Sequence, residues 1–403
     1  MARYIGNISG TIPHTHKSVN IPLEGRNLII TGGNGSGKTS FLRNAYEKAY
    51  WLAVLKELPS QQQINDLFEQ QKEYQKFTKI TGTPDNFNEN IKTTNEWLKI
   101  FAGGIKIEIQ DNIQFSLKHS DRKAVVLYFE DKRLSDIAEA KTGQSLQDEV
   151  NEINKLTYDQ KLGNNLEQHL LNLKIRRSLA ITEDKNKEFA SKIDIWFDEF
   201  EKNLKHLFED TSTKLLFNSD LRKFSIQQDD KPPYTFQTLS AGYRAIFDIY
   251  AGLLMHTEYF SISPAELEGV VFIDEIDSHL HVSLQRLILP FFTESFPEVQ
   301  FIVTTHSPFV LMSQRGILVY DLGKEELYSV SQVKSQNEIM KEYLGVPVLM
   351  PVWAQESLEA IIAKYSSCEP DEISIAALKE ELAKAGLETY FPESVVRVLE
   401  SKQ

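Results

Sequence analysis

Residues 29 to 40 read Ile29-Ile30-Thr31-Gly32-Gly33-Asn34-Gly35-Ser36-Gly37-Lys38-Thr39-Ser40, and this stretch decides the fold. Gly32, Gly37, Lys38 and Thr39 satisfy G-x-x-x-x-G-K-[ST]. The apolar Asn27-Leu28-Ile29-Ile30 before them predicts a strand, and Phe41-Leu42-Arg43-Asn44-Ala45 after them predicts a helix. Glycines let backbone N–H groups curl around phosphate oxygens without Cβ clashes, and a helix N-terminus adds the positive end of its dipole. Asn34, Gly35, Ser36 and Ser40 complete the expected cradle. Lys38 is expected to reach the β- and γ-phosphates and the Thr39 hydroxyl to bind Mg2+.

Working outward, the composition is that of an ordinary water-soluble protein. The 403 residues are 41% hydrophobic, enough for a large core and two or three lobes. The segment Met1-Ala2-Arg3-Tyr4-Ile5-Gly6-Asn7 lacks a long apolar run, and no later stretch has the length to span a bilayer, so a cytoplasmic location is expected. Cys368 is the only cysteine, which excludes an internal disulfide. A net charge of −13 disfavours general coating of nucleic acid, which draws affinity from Lys and Arg. A local basic face at Lys174, Arg176, Arg177, Lys185 and Lys187 reads as a solvated helix face or a small contact patch.

Before the loop, Tyr4 to Ile8 and Val19 to Ile21 read as strands, with Ile12-Pro13-His14 as a turn. His14 and His16 read as loop residues. After it, Leu42, Ala45, Tyr46, Ala49, Leu52 and Ala53 recur at helical spacing. Pro59-Ser60 interrupts this pattern, Ile64, Leu67 and Phe68 begin a second helix, and Thr81 to Asn86 form a turn. Between Gly104 and Glu130 the period is two: Ile105, Ile107 and Ile109, then Ile113, Phe115 and Leu117, predict a hairpin turning at Asp111-Asn112. Ala124 to Phe129 is apolar throughout, as in a buried strand. Leu134 to Asp210 reads as helical. The aromatic stripe Trp196, Phe197, Phe200 is either core or a docking ridge. Lys214 to Gln228 reads as two short strands before a turn at Pro232-Pro233.

The second half makes the loop specific. Thr238-Leu239-Ser240-Ala241-Gly242 opens a helix, with Ser240 as N-cap and Gly242 leaving the backbone open to phosphate. Gly269 to Ile273 is an apolar run ending in Asp274 and Glu275. Asp274 is expected to hold the Mg2+ hydration shell, and Glu275 to orient and polarise an attacking water. Phe301 to Thr305 is a second buried strand with His306 at its polar exit, suited to a γ-phosphate contact. His279 and His281 suggest a metal site only weakly, since no third ligand is near.

In this order the motifs resemble those of ABC-type ATPase heads, and more closely the RecF, SMC and OLD-like branch. Gly32 to Thr39 matches Walker A, Leu239 to Gly242 the signature, Val270 to Glu275 Walker B, Ile276 to His281 the D-loop, and His306 the switch histidine. The resemblance implies an α/β P-loop head, a mixed sheet with flanking helices. It implies ATP and Mg2+ as ligands, with Glu275 and His306 catalytic and Thr39 and Asp274 at the metal. It also implies a head-to-tail dimer in which Ser240 and Gly242 of one copy meet the γ-phosphate held by Lys38 of the other. The family's Q-loop glutamine has no counterpart in Glu130-Asp131-Lys132-Arg133.

The expected organisation follows from these positions. Residues 1–40 and 211–335 form the nucleotide-binding core, to which 104–133 return. Residues 41–103 and 134–210 form an inserted helical lobe, and 336–403 a small helical partner-binding tail. That tail includes Glu338 to Tyr343 and Val346 to Trp353. It lacks the acidic clusters of a Toprim nuclease, and no long coiled coil is present. A compact ATPase without its own effector looks like the ATPase subunits of bacterial anti-phage systems, such as PtuA of Septu and retron systems or AriA of PARIS. The expected partner is then a separately encoded nuclease or toxin, with no membrane. A RecF-like DNA-repair ATPase is the alternative, although the charge does not support a DNA ligand.

Overall fold

Ile5 and Ile8 alternate with polar neighbours, as do Val19 and Ile21, and both segments form strands in the computed structural model. They are β1 (Ile5–Thr11) and β2 (Ser18–Pro22), paired antiparallel. The structure describes residues 4–55, scattered positions between 62 and 73, and 104–133, 137–141, 143, 162–329, 352–366 and 372–387. The expected features at Pro59-Ser60, at Ile64, Leu67 and Phe68, at Thr81 to Asn86, at Glu338 to Tyr343 and at Val346 to Pro351 lie outside these. Two compact units are present, Met1–Lys334 and Ser335–Gln403.

Strand β3 (Leu28–Thr31) runs into the glycine-rich loop, and α1 (Lys38–Leu55) follows. Phe41, Leu42, Ala45, Ala49 and Ala53 on one face of α1 bury in a cluster with Ile5, Ile8, Val126 and Val270. β4 (Ile105–Ile109) adds to β1, giving a small sheet of order β2-β1-β4. The expected second hairpin strand is instead a helix, α2 (Asn112–Ser120). Asp111 is its N-cap, its side chain accepting the amide of Gln114 at 2.9 Å. Phe115, Ser116 and His119 face inward while Ile113 and Leu117 are exposed, so the alternating pattern was a coincidence that the cap overrides. β5 (Ala124–Phe129) is the buried strand expected.

Residues 137–141 are irregular rather than helical. There the Ile137 carbonyl accepts a side-chain bond from Gln237, which replaces a helical partner. Helices resume at α3 (Leu166–Thr182) and α4 (Lys187–Leu207). The aromatic stripe is core: Trp196 stacks on Phe200 at 5.4 Å, and Phe200 lies 6.2 Å from Tyr250 of the later helix Ala241–Phe260. The basic face is largely engaged within the chain, with Arg177 paired to Asp194 and the Lys174 ammonium 3.9 Å from the centre of the Phe197 ring. β6 (Lys214–Asn218), β7 (Lys223–Gln228) and β8 (Lys231–Tyr234) form an antiparallel meander. The turn falls at Asp229-Asp230, not at the prolines. Pro232 and Pro233 sit within β8, an edge strand, where absent N–H groups cost little.

α5 (Ala241–Phe260) leads to β9 (Glu268–Ile273), α6 (Val282–Ser295), β10 (Val299–Thr304), the short α7 (Pro308–Leu311), β11 (Leu318–Asp321) and β12 (Glu326–Ser329). The main sheet has the order β12-β11-β3-β10-β9-β5. Every pairing is parallel except β11 with β12, giving the α/β class and mixed sheet expected. β3 and β10 are buried along their whole length, which explains their unbroken apolar runs. The register aligns Ile30 with Thr304 and Ile273 with Val303, so three strands end together at one edge of the sheet. Ligands of parallel sheets bind beyond the carboxyl ends of their strands. That topology brings Gly32, Asp274 and His306 to one place.

The second unit contains α8 (Val352–Ser366) and α9 (Glu372–Lys384). Leu358 and Ile361 pack with Leu378 and Leu382, and Lys364 bonds the Glu381 carboxylate at 2.8 Å.

Candidate functional site

The loop between β3 and α1 has the backbone its glycines predict. Gly32, Gly35 and Gly37 adopt φ of 138°, 75° and 99°, a region that side chains with a Cβ rarely enter. A Cβ on Gly37 would stand 3.0 Å from the Thr15 methyl, so the loop is also packed against the β1–β2 turn. Gly33, Asn34, Gly35 and Thr39 are exposed, and Ser36, Gly37 and Ser40 are half-buried. The Ser36 hydroxyl oxygen is buried with no protein hydrogen-bond partner, a donor available to a phosphate oxygen.

Lys38 is buried at the base of the loop, where its ammonium donates to the carbonyls of Gly32 at 3.1 Å and Gly33 at 3.2 Å. Burial lowers its pKa, and the carboxylates of Glu275, Asp274 and Asp277 oppose that shift. The sequence-predicted groups therefore converge. His306 joins them: burial lowers its pKa first and the Lys38 charge second, against Asp277 and Glu275. A neutral imidazole beside the ammonium is the result at neutral pH.

The carboxylates are held by residues outside the predicted site set. The Thr304 hydroxyl, at the end of β10, donates to Asp274 Oδ1 at 2.5 Å and accepts the amide of Glu275 at 2.7 Å. The Tyr128 hydroxyl lies 3.5 Å from Asp274 Oδ2. Thr305 donates to Asp277, and Arg133 donates to the Glu275 carbonyl. In Thr304-Thr305-His306 a polar tail on an apolar strand is visible in sequence, but its partners depend on β10 lying between β3 and β9. Arg133 follows β5, where the resemblance implies a glutamine.

Ser240 and Gly242 stand at the start of α5. Ser240 is exposed and, although it is the N-cap, makes no side-chain cap bond. Gly242 is buried, and a Cβ there would meet the His279 carbonyl at 3.1 Å. Its small size thus serves packing against the turn after β9 as well as any approach by phosphate.

Thr39 and Asp274 offer oxygen donors, which suit Mg2+, an ion usually held by one or two protein groups plus substrate phosphates and water. Among the described residues no group of three or more His, Cys, Asp or Glu side chains could hold a metal by themselves. The His281 ring caps α6, its Nδ1 accepting the Ser283 amide. No helix among the described residues is long and apolar enough to cross a membrane.

A solved SMC head bound to the C-winged helix domain of ScpA aligns with 82% of this chain and 98% of its own, at 16% identity and a TM-score of 0.36. The "Retron Ec83 probable ATPase" of Escherichia coli is 30% identical over 172 residues, 36% of this chain and 32% of that protein. The "Septu protein PtuA" of Bacillus thuringiensis is 34% identical over 96 residues, 23% of this chain and 24% of that protein. The chain thus matches a third or less of the length of these relatives. A family model described as "AAA domain, putative AbiEii toxin, Type IV TA system" matches residues 73–313. The match spans more than half of the sequence, and the chain belongs to this AAA_21 family.

Proposed function

We propose that this chain binds and hydrolyses ATP in a head-to-tail pair of copies, and thereby controls a separately encoded nuclease or toxin in anti-phage defence. The observation that carries the reading is the convergence of Lys38, Asp274, Glu275, Asp277 and His306 from separate loops at one sheet edge. Ser240, exposed and without a cap bond, supports completion of the site by a second copy. The names of the Retron Ec83 and Septu PtuA relatives support the biological setting.

In this reading Gly32, Asn34, Gly35, Ser36, Gly37 and Ser40 cradle the phosphates of ATP with their amides and hydroxyls. Lys38 exchanges its loop carbonyls for β- and γ-phosphate oxygens. Thr39 and Asp274 would hold Mg2+, which would neutralise charge on the transferring phosphoryl group. Glu275 orients the attacking water and accepts its proton, and neutral His306 hydrogen-bonds the γ-phosphate. Ser240 and Gly242 of the second copy close the pocket. The unit 336–403 carries the partner contact.

Co-expression with the genes that flank this one, followed by affinity capture with and without ATP, tests the assignment. A nuclease or toxin is expected to copurify, and the Glu275→Gln variant is expected to hold an ATP-bound dimer. Absence of any effector partner in both nucleotide states would sink the regulatory reading. Wild-type hydrolysis by Glu275→Gln would remove Glu275 as the base.

A further inference from the structure

Glu275 is a non-glycine residue with φ of 44°, in the left-handed region. Such a conformation is sparsely populated by residues with a Cβ and persists only where its surroundings impose it. Two side chains do so here. Thr304 receives the Glu275 amide at 2.7 Å, and Arg133 donates its Nη2 hydrogen to the Glu275 carbonyl. The Ser278 amide shares that carbonyl at 2.8 Å, closing the turn after β9.

Arg133 is itself unusual in position. It is 3% exposed, and a buried guanidinium needs paired charge to be tolerated. Asp248, Asp277, Asp274 and Asp131 surround it and offset the burial, which lowers its pKa to about 10. The group therefore keeps its charge at neutral pH. Asp248 lies on α5, the helix that begins at Ser240, whereas Asp274 and Asp277 flank Glu275. Just beyond Arg133, Gln237 donates to the Ile137 carbonyl at 3.1 Å and to Glu167 at 2.6 Å, tying this segment to the approach to Ser240. Being buried, the guanidinium is placed to act through the protein rather than on a nucleotide.

We propose that Arg133 is a positioning residue for Glu275, its guanidinium fixing the left-handed turn that aims the Glu275 carboxylate. The inference rests on the role given to Glu275 above. A planar guanidinium presents its Nη2 donor in a fixed direction, which a lysine ammonium on a flexible stem does not. Loss of this donor frees the turn without touching the phosphate loop.

The test compares wild type, Arg133→Gln, Glu275→Gln and the double variant. In Arg133→Gln, kcat is expected to fall about 100-fold, as misplacement of a reacting group by an ångström does. KM for ATP and the affinity for a fluorescent ATP analogue should stay unchanged. The double variant should be no slower than Glu275→Gln alone, because the two residues act as one unit. Wild-type kcat in Arg133→Gln overturns the inference, as does loss of nucleotide affinity in step with kcat. If Arg133→Gln does not fold, Arg133→Lys, which keeps the charge, is read by the same criteria. If the wild type itself does not hydrolyse ATP, the proposed function fails, and hydrogen exchange across residues 273–281 decides the inference. Faster exchange in Arg133→Gln, or in Arg133→Lys where Gln does not fold, supports the clamp; unchanged exchange overturns it.

Discussion

The hydroxyl of Thr304 donates to the Asp274 carboxylate at 2.5 Å, across the parallel pair β9–β10. The same oxygen accepts the Glu275 amide, so a single side chain sets the orientation of both acidic residues. Both bonds are shielded, since Thr304 is buried and Asp274 is 3% exposed.

Thr304→Val keeps the shape and removes the hydroxyl. It leaves the Glu275 amide without its acceptor and Asp274 without a donor, which should destabilise the fold by about 1–3 kcal/mol. Chemical denaturation at neutral pH measures this, and Thr304→Ser should restore most of the loss. ATP turnover, where present, should fall more in Val than in Ser.

Lys38→Ala should weaken nucleotide binding by about 30-fold or more, the cost of truncating one partner of a buried charge-assisted contact. Stability should change little, because the ammonium only satisfies two loop carbonyls before a phosphate arrives. Titration with a fluorescent ATP analogue checks the first expectation and thermal melting the second. Unchanged affinity would detach the loop from nucleotide binding.

Mixing two dead variants probes the head-to-tail arrangement. Ser240→Ala should spare the fold, since Ser240 is exposed and makes no cap bond, but should remove the γ-phosphate contact it gives to a second copy's site. Lys38→Ala should disable the other half of the site. Neither alone should hydrolyse ATP, whereas the mixture should regain part of the wild-type rate through one intact composite site. No recovery, with heterodimers shown by light scattering, would argue for sites complete within one copy.

His119 on α2 supplies a pH dependence away from the site. Burial lowers its pKa from the ordinary 6.5 to about 4. The unfolded chain therefore takes up a proton first. The stability linked to this residue is complete above pH 6.5 and is lost as pH falls from there towards 4, by about 3 kcal/mol at the limit. His119→Phe should flatten the slope of unfolding free energy between pH 7 and 5, measured by urea denaturation against wild type. An unchanged slope would assign the acid sensitivity to other groups.

Much of this protein is legible in its sequence. Gly32 to Thr39 could be read locally because the phosphate loop is built from consecutive residues, and its glycine conformations and helix start are local properties. The buried strands ending at Phe129, Ile273 and Thr304 were legible because strands covered on both faces carry continuous apolar runs. Asp111 marks the limit of such reading: Ile113, Phe115 and Leu117 alternate like a strand, but the carboxylate of Asp111 caps a helix, and only Phe115 of the three is buried. Pro232 and Pro233 were likewise misread, since whether a proline breaks a strand depends on whether that strand has a neighbour on its N–H side.

By itself, then, the sequence determined the phosphate loop, the acidic strand end and the order of motifs, all of which are carried by residues close together in the chain. The tertiary structure decided what holds them. Thr304 reaches Asp274 because β10 lies between β3 and β9, and Arg133 reaches the Glu275 carbonyl because β5 lies on the far side of β9. Strand order is set by packing and pairing across hundreds of residues, so no local pattern could reveal that a threonine and an arginine from two separate segments converge on one left-handed turn.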